Sequence, residues 1–382
     1  MHRRSFLTTL GASGAGVLAA PFISWRGHEI VLAQGAAARR ADRLLAARPG
    51  MIRIDSNENP NGPGERVYAV IRRHLTESNR YPVQSEDDLA AAIAKTHGIS
   101  PDNLILGCGS GELLRAAVSA FTTRDRALVA PEPTFEAPAN WAKFIGSPVV
   151  APRVDALLHL DLDAMAEQGR GAGLCYLCNP NNPTATVHGR SAVNAYVERV
   201  GKLSPETTVL IDEAYFEYVD EPSYGSAIPL ALSNPRVVVT RTFSKVFGMA
   251  GLRVGYAVGQ PVTLAKLAAW LLGSNISQLS LVAAAAAVGD VPHIVLEQRR
   301  NRATRAFTRR FFEQAGYRVA QSEANFMMVD IRRDAKEFKL ECLKHHVAVG
   351  RQFPTLPTHV RVSIGTMEEM QKALRVFQSL LA

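Results

Sequence analysis

The apolar positions of this chain fall into short runs that alternate with longer stretches of helical periodicity. Five short runs predict buried strands, at Leu104–Leu106, Ala127–Ala130, Leu174–Leu177, Val209–Ile211 and Val237–Thr240. Helical patterns follow many of these runs, as in residues 191–202. This alternation predicts an α/β fold with a mostly parallel central sheet, covered on both faces, whose ligand site lies at the carboxyl ends of the strands.

Beyond residue 261 the pattern changes to consecutive helices and then to a small α+β region. Helices are predicted at Leu264–Leu272, Leu279–Val288, His293–Ala315 and from Glu368 onward, and strands at Phe326–Val329, Val347–Val349 and Val360–Ile364. We therefore predict a large domain over residues 76–275 and a small C-terminal domain over residues 276–382. Residues 34–75 are predicted to form an N-terminal arm that joins the small domain.

The amino terminus has the pattern of an export signal. Arg3 and Arg4 precede an apolar, Gly- and Ala-rich run, and Ala33 ends a short segment suited to cleavage. This pattern resembles a twin-arginine signal, so residues 1–33 are excluded from the predicted fold. The apolar run is too short and too rich in glycine for a stable membrane span. The mature protein is expected in the periplasm or outside the cell.

Composition excludes several other classes of protein. Of the 382 residues 47% are apolar, which is typical of a globular chain. The 43 basic and 35 acidic residues are scattered, without the aromatic-interleaved basic patch expected of a nucleic-acid-binding protein. Cys175 and Cys178 lie in an apolar strand, where packing is a better interpretation than a metal or redox pair. No metal site is predicted.

The segment around Lys245 carries the clearest chemical signal. Lys245 follows the hydroxyl residues Thr242 and Ser244 directly after a predicted strand, and Arg253 comes eight residues later in a glycine-rich turn. A lysine can bind an aldehyde cofactor covalently, while hydroxyl groups and a cation can hold the phosphate of that cofactor. This segment therefore predicts a site for a phosphorylated aldehyde.

Three further motifs end predicted strands, where a ligand site is expected. The first strand runs into Gly109-Ser110-Gly111 and a helical pattern, which together indicate an anion site at a helix N-terminus. Asn182 lies in a Pro- and Asn-rich turn after the third strand. Asp212 ends the fourth strand, and Tyr215 follows it.

These motifs, in this order, resemble the aspartate aminotransferase superfamily, the pyridoxal 5′-phosphate (PLP) enzymes of fold type I. The resemblance covers about residues 50 to 380. It implies that Lys245 holds PLP covalently, that Asp212 keeps the pyridine nitrogen protonated, and that Asn182 and Tyr215 bind the phenolate oxygen. It also implies that the phosphate is bound by Ser110, Gly111, Thr242, Ser244 and Arg253.

The same resemblance extends to the dimer and the substrate. It implies that Tyr81 reaches across the interface of a homodimer to the partner's phosphate, and that Phe135 stacks on the pyridine ring. Arg361 matches the arginine that binds an acidic group of the substrate, and Arg351 matches a second arginine on the substrate side. The planar guanidinium group suits both carboxylates and phosphates.

Residues 54–63 resemble the Asn-Glu-Asn-Pro segment of histidinol-phosphate aminotransferases, with two departures. Asn61 stands where that group has a tyrosine, and a tyrosine-containing stretch that helps to bind the substrate phosphate is absent upstream. Ala185 replaces the glycine of the family's Asn-Pro-Thr-Gly turn, so we expect the backbone there to avoid positive φ. The expected donor is therefore histidinol phosphate or an amino acid, aromatic ones included, and the acceptor a 2-oxo acid such as 2-oxoglutarate.

Two alternatives to transamination stay open from the sequence. A PLP-dependent decarboxylase of this fold has the same motifs and differs mainly in which bond at Cα stands perpendicular to the ring. A non-catalytic PLP-binding module is disfavoured because Lys245, Asp212 and Arg253 are all present and no DNA-binding segment is fused to the chain.

Overall fold

A seven-stranded sheet forms the centre of the structure, a computed structural model that describes residues 48–382. The predicted signal, residues 1–33, and the beginning of the predicted arm lie outside the described residues. The strands are β1 Ile52–Ile54, β2 Leu104–Gly107, β3 Leu128–Val129, β4 Val149–Val150, β5 Leu174–Cys178, β6 Thr208–Asp212, β7 Val237–Thr242, β8 Gly255–Val258, β9 Arg318–Val319, β10 Phe326–Asp330, β11 Val347–Val349 and β12 His359–Ser363.

Helices cover the sheets and connect their strands. They are α1 Glu65–His74, α2 Val83–His97, α3 Ser110–Phe121, α4 Ala137–Ile145, α5 Leu162–Gln168, α6 Arg190–Leu203, α7 Ile228–Ser233, α8 Pro261–Ala268, α9 Gln278–Val288, α10 Val291–Gln314, α11 Ala335–Lys344 and α12 Met367–Leu381. Among residues 48–382 no single helix is long and apolar enough to cross a membrane, and only α9 and α10 together, bent by 80°, reach that length and composition.

The large sheet has the strand order β2-β8-β7-β6-β5-β3-β4. Strand β8 runs antiparallel to both of its neighbours, and the other adjacent pairs are parallel. The central strands β5, β6 and β7 are buried along their whole length, as expected for a sheet with helices on both faces. The predicted α/β fold with a mostly parallel sheet is confirmed.

A second, smaller set of strands lies in the C-terminal part of the chain. Strands β9, β10 and β12 form an antiparallel sheet, and β1 pairs in parallel with β11. Ile54 of β1 is fully buried in the same hydrophobic cluster as Phe312 and Phe377. The segment that starts at β1 therefore connects this cluster with the large sheet.

Two local features differ from the predicted pattern. Strand β8 was not predicted, because its four residues directly follow the glycine-rich turn and have no separate periodicity of their own. The helix predicted over Leu264–Leu272 ends earlier, as α8, because tighter i→i+3 hydrogen bonds at Trp270 and Leu271 close the chain before Gly273.

Gly248 permits the closest approach between the N-terminal segment and the loop after β7. Its φ is +69°, and a Cβ atom at this position would lie 2.1 Å from the backbone carbon of Gly62. Gly251, three residues later, has no atom within 4 Å of the corresponding position and no positive φ. The loop therefore requires glycine at position 248 but not at position 251.

Gly248→Ala is expected to lower the free energy of unfolding by about 2–4 kcal/mol, because the methyl group both clashes with Gly62 and disfavours the left-handed backbone. Gly251→Ala is the matched control and should change stability by less than about 1 kcal/mol. Denaturant unfolding of both variants, followed by circular dichroism, measures the difference. Equal stability of the two variants would contradict the close packing at Gly62.

Candidate active site

The carboxyl ends of three parallel strands place the predicted site residues side by side. Asp212, the last residue of β6, is in register with Cys178 of β5 and with Thr240 of β7. Thr242 then ends β7, and Lys245 follows three residues later. Cys178 and Thr242 are about 65 residues apart in the chain. The strand order nevertheless brings their motifs together, at the edge where open α/β sheets bind ligands.

Asp212 carries a buried carboxylate with which no residue among 48–382 forms an ion pair. Its two oxygens accept hydrogen bonds from the hydroxyl groups of Tyr176 and Thr240, both at 3.1 Å. Burial raises the pKa of Asp212 to about 6, although these two hydrogen bonds act in the opposite direction. At neutral pH the site therefore holds a desolvated anion that a protonated ring nitrogen could neutralise.

Lys245 carries its amine into the same region. Its Nζ donates a hydrogen bond to the backbone oxygen of Asn57 at 3.0 Å and lies 5.4 Å from the centre of the Tyr215 ring. Burial, and secondarily the positive charge of Arg361, lower the pKa of Lys245 to about 8. A lysine with this pKa is substantially neutral slightly above physiological pH and can act as a nucleophile or base.

A separate group of residues forms a cradle for an anion. Arg253 Nη1 donates to Ser244 Oγ at 3.1 Å, and Thr242 Oγ1 is 3.0 Å from the same oxygen. Gly109 has a φ of +72°, and a Cβ there would lie 2.1 Å from Nη2 of Arg253.

Helix α3 begins directly after Gly109, so the first N–H groups of Ser110 and Gly111 have no partners within the helix. Among the residues that the structure describes, none forms an ion pair with Arg253. A guanidinium, two hydroxyls and a helix N-terminus together suit a phosphate group.

Asn182 links this cofactor region to the predicted substrate arginine. Its side-chain oxygen accepts a hydrogen bond from Nη1 of Arg361 at 2.8 Å, which leaves its NH₂ group available. Arg361 also donates through Nη2 to the backbone oxygen of Asp55 at 2.6 Å, while its buried Nε has no hydrogen-bond partner among residues 48–382. Both acceptors are neutral, so the charge of Arg361 is available for a substrate anion.

The backbone at Ala185 corrects an expectation from the sequence. Its φ is +64°, in the left-handed region that we expected alanine to avoid. The residue is fully buried, its N–H donates to the oxygen of Asn181 at 2.7 Å, and its oxygen accepts from the N–H of Glu323 at 2.9 Å. These two hydrogen bonds hold a conformation that costs alanine about 1–2 kcal/mol.

Asn57 is a site residue whose role the sequence did not reveal. It is buried with a φ of +56°, and its backbone oxygen receives both Lys245 Nζ and Asn325 Nδ2. Its side-chain amide donates to the hydroxyl of Tyr215 at 3.2 Å, and its side-chain oxygen accepts from Ser363 Oγ at 2.8 Å. The available signal was an Asn within the Asn-Glu-Asn-Pro segment, since asparagine tolerates positive φ.

Arg351 differs sharply from Arg361 in its partners. Its Nη2 lies 2.6 Å from Oε2 of Glu136, and its guanidinium carbon lies 4.2 Å from the centre of the Phe353 ring. The guanidinium carbon of Arg361 lies 5.7 Å from the same ring. The two predicted arginines are thus brought together around one aromatic side chain, but one of them is already paired with a carboxylate.

The positions of two predicted residues, Phe135 and Tyr81, connect them less directly with the site. Phe135 is partly buried and packs against the hydrophobic cluster under α3, next to Glu136 in the chain. The side chain of Tyr81 is 86% exposed and does not join the site of its own chain. The other predicted residues converge on the site.

A cavity of about 290 Å³ lies between the Asn59–Asn61 segment, α10 and the start of α12. Asn61 Nδ2 donates there to the buried carboxylate of Glu297 at 2.7 Å. Asn61 is therefore already committed to a neighbouring anion and is poorly placed to bind a substrate phosphate.

Comparison with known proteins supports the same interpretation. Residues 49–377 match the family model for aminotransferase class I and II. The histidinol-phosphate aminotransferase of Symbiobacterium thermophilum is 35% identical over 334 residues, which cover 87% of this chain and 91% of that protein. The corresponding enzyme of Moorella thermoacetica is 32% identical over 336 residues, covering 87% and 86%.

A crystal structure of histidinol-phosphate aminotransferase from Sinorhizobium meliloti in complex with PLP is similar, with a TM-score of 0.81 and 25% identity. The match covers 96% of this chain and 99% of that one. With the anion cradle, Lys245 and the unpaired Asp212 all suited to it, PLP is the cofactor of this protein. The chain is a PLP-dependent enzyme of fold type I and belongs to the class I and II aminotransferase family.

Proposed function

We propose that this enzyme transfers the amino group of histidinol phosphate or of an α-amino acid to a 2-oxo acid such as 2-oxoglutarate. The observation that carries the proposal is that Lys245 lies among an unpaired buried anion, Asp212, and an arginine with only neutral partners, Arg361. A second cation, Arg253, serves a separate anion cradle. One cation is thus available for the cofactor phosphate and one for the substrate.

The cofactor would be held at both ends by residues of this chain. Ser110, Gly111, Thr242, Ser244 and Arg253 would bind its phosphate, Lys245 would bind its aldehyde carbon, and Asp212 would face its ring nitrogen. When bound, PLP supplies an electron-withdrawing ring that stabilises negative charge at the Cα atom of the substrate.

Lys245 is the proposed proton carrier of the reaction. With cofactor and substrate bound, the Nζ amine of Lys245 would accept the proton that leaves Cα of the substrate and would later give a proton back, which restores the neutral amine. Its lowered pKa keeps a useful fraction of the amine neutral, and the Asn57 oxygen at 3.0 Å fixes its direction.

Asp212, Asn182 and Tyr215 would tune the electron-withdrawing capacity of the ring. Asp212 would stabilise a proton on the ring nitrogen, and the NH₂ group of Asn182 and the hydroxyl of Tyr215 would bind the phenolate oxygen. Arg361 holds an acidic group of the substrate, and its bonds to Asn182 and Asp55 fix the guanidinium plane.

The similar proteins are named for amino transfer, which favours transamination over the decarboxylation that the motifs alone left open.

We also propose that residues 1–33 direct export through a twin-arginine pathway to the periplasm or the cell exterior. Fractionation of cells that express the full chain, with Arg3 and Arg4 both changed to Lys as the control, tests the export proposal. Retention of both forms inside the cell would overturn it.

The structure favours weakened binding of a substrate phosphate. Asn61 is bonded to Glu297 and Arg351 to Glu136, so two polar groups on the substrate side are already occupied. Each missing charge-assisted contact costs about 1.5–3 kcal/mol, or about a tenfold loss of affinity or more.

We expect kcat/KM for histidinol phosphate to exceed that for phenylalanine by less than about a thousandfold, with 2-oxoglutarate as the acceptor. Steady-state assays of both donors measure this ratio. A larger preference for histidinol phosphate would show that the missing contacts do not limit phosphate binding.

The lowered pKa of Lys245 predicts how the cofactor-free protein captures PLP. Only the neutral amine attacks an aldehyde, so the capture rate should rise about tenfold per pH unit up to pH 8 and level off above it. Stopped-flow absorbance from pH 6 to 10 measures the rate, with free lysine as a reference for the titration of PLP itself. A rate that still climbs tenfold per unit between pH 9 and 10 would indicate an ordinary lysine.

The exposure of Tyr81 supports the proposal of a homodimer with shared sites. If Tyr81 serves the partner's site, mixed dimers of Lys245→Ala and an inactive Tyr81→Ala subunit contain one site with both groups intact. We expect activity to return on mixing, measured in purified heterodimers, and compare it with mixtures of Lys245→Ala and wild type. Absence of rescue would place Tyr81 in its own subunit's function.

A further inference from the structure

We propose that Glu136 determines substrate specificity by neutralising Arg351, so that the substrate side of the site presents one available cation rather than two. This inference rests on the proposed function, because it concerns the group that binds beside the substrate anion held by Arg361. It predicts a preference for donors with one anionic group and an uncharged side chain.

The geometry of the Arg351–Glu136 pair supports a direct ionic contact. The Nη2–Oε2 distance is 2.6 Å, and Nη1 of Arg351 donates to the backbone oxygen of Gln352 at 3.1 Å. The guanidinium group also lies over the Phe353 ring. Arg351 is therefore held by a carboxylate, a carbonyl and an aromatic face before any substrate binds.

Arg361 provides the contrast within the same site. Its hydrogen bonds go to an amide oxygen and a backbone oxygen, and among residues 48–382 no carboxylate forms an ion pair with it. Both arginines lie close to the Phe353 ring, so a substrate with two anionic groups would meet both of them. Only Arg361 is free to pair without first breaking an existing ion pair.

The position of Glu136 makes its charge specific to this site. Glu136 follows Phe135, the predicted ring-stacking residue, and directly precedes helix α4. Its carboxylate thus projects from the segment expected to border the cofactor towards an arginine of the C-terminal region. A residue at this place can exclude a second substrate anion, since a like charge opposes its approach while Arg351 is occupied.

The Arg351–Glu136 ion pair is strong enough to affect which substrates bind, but weak enough for a substrate anion to break it. The side chains of Arg351 and Glu136 are 35% and 41% exposed, so solvent and salt screen their attraction. A dicarboxylate acceptor can displace Glu136 from Arg351, whereas a neutral side chain leaves the pair closed. 2-Oxoglutarate can therefore still bind as an acceptor, but its second carboxylate lowers its affinity because it must displace Glu136.

The test is Glu136→Gln, which keeps the shape of the side chain and removes its charge. The dissociation constants of glutarate, butyrate and inorganic phosphate are measured on the PLP-loaded enzyme by isothermal titration calorimetry. We expect glutarate and phosphate to bind about fivefold more tightly or better, and butyrate to change much less. The ratio of kcat/KM for glutamate to that for phenylalanine should rise by a similar factor.

Two controls separate the direct effect from a general change in charge. Glu341→Gln removes the carboxylate of another half-exposed pair, with Arg333 at 2.8 Å, and should leave glutarate binding unchanged. Arg351→Gln in the Glu136→Gln background should abolish the gain. Equal tightening of butyrate and glutarate, or a gain that persists without Arg351, would overturn the proposal.

Failure of this inference is distinguishable from failure of the proposed function. Arg361→Gln should weaken butyrate, glutarate and phenylalanine alike if Arg361 holds the common substrate carboxylate. Loss of binding in that variant, together with no effect of Glu136→Gln, would reject the role of Glu136 and leave the function intact. Unchanged butyrate and phenylalanine binding in Arg361→Gln would reject the assignment of the substrate arginine itself.

Discussion

The site depends on holding the buried Asp212 and the partly buried Lys245 and Arg361 in a desolvated region where no residue among 48–382 forms an ion pair with them. Each is held by neutral groups: hydroxyls for Asp212, a backbone oxygen for Lys245, and an amide and a backbone oxygen for Arg361. Desolvated charges of this kind cost stability, as the raised pKa of Asp212 and the lowered pKa of Lys245 both show. A cofactor with a protonated ring nitrogen and a substrate with an anionic group supply the missing charges.

The N-terminal segment maintains this arrangement. Strand β1 belongs to the C-terminal core, and three residues after its end Asn57 bonds to Lys245, Tyr215 and Ser363. Its hydrogen bonds therefore connect the loop after β7, the end of β6 and the small antiparallel sheet. Gly248 allows the continuing segment to pack directly on the loop that carries the lysine. The packing of this segment therefore also determines the positions of the catalytic groups.

Much of this structure could be predicted because strand ends and short motifs carry strong local signals. Short apolar runs revealed the central strands, and Asp212 ends one of them while Lys245 lies three residues after another. Asn57 and Glu136 could not be identified in this way, because their partners are distant in the chain. The partners of Asn57 are between 158 and 306 residues away, and the partner of Glu136 is about 215 residues away.

Ala185 shows a different limit of the sequence. Intrinsic preference disfavours positive φ for alanine, but a buried turn with two well-formed backbone hydrogen bonds overrides that preference. Similarly, the sequence identified Arg351 as a candidate substrate residue without showing that Glu136 already occupies it. Residue type alone indicates what a side chain can bind, whereas the fold determines whether its charge is free.

The proposed mechanism depends on Lys245 as the group that carries the proton leaving Cα of the substrate. Its most direct test is the single-turnover half-reaction of Lys245→Ala, loaded with PLP and mixed with the best amino donor, followed by absorbance. We expect a rate at least about a hundredfold below wild type, with the fold retained and partial recovery on addition of a small amine such as methylamine. A rate close to that of the wild type would contradict it.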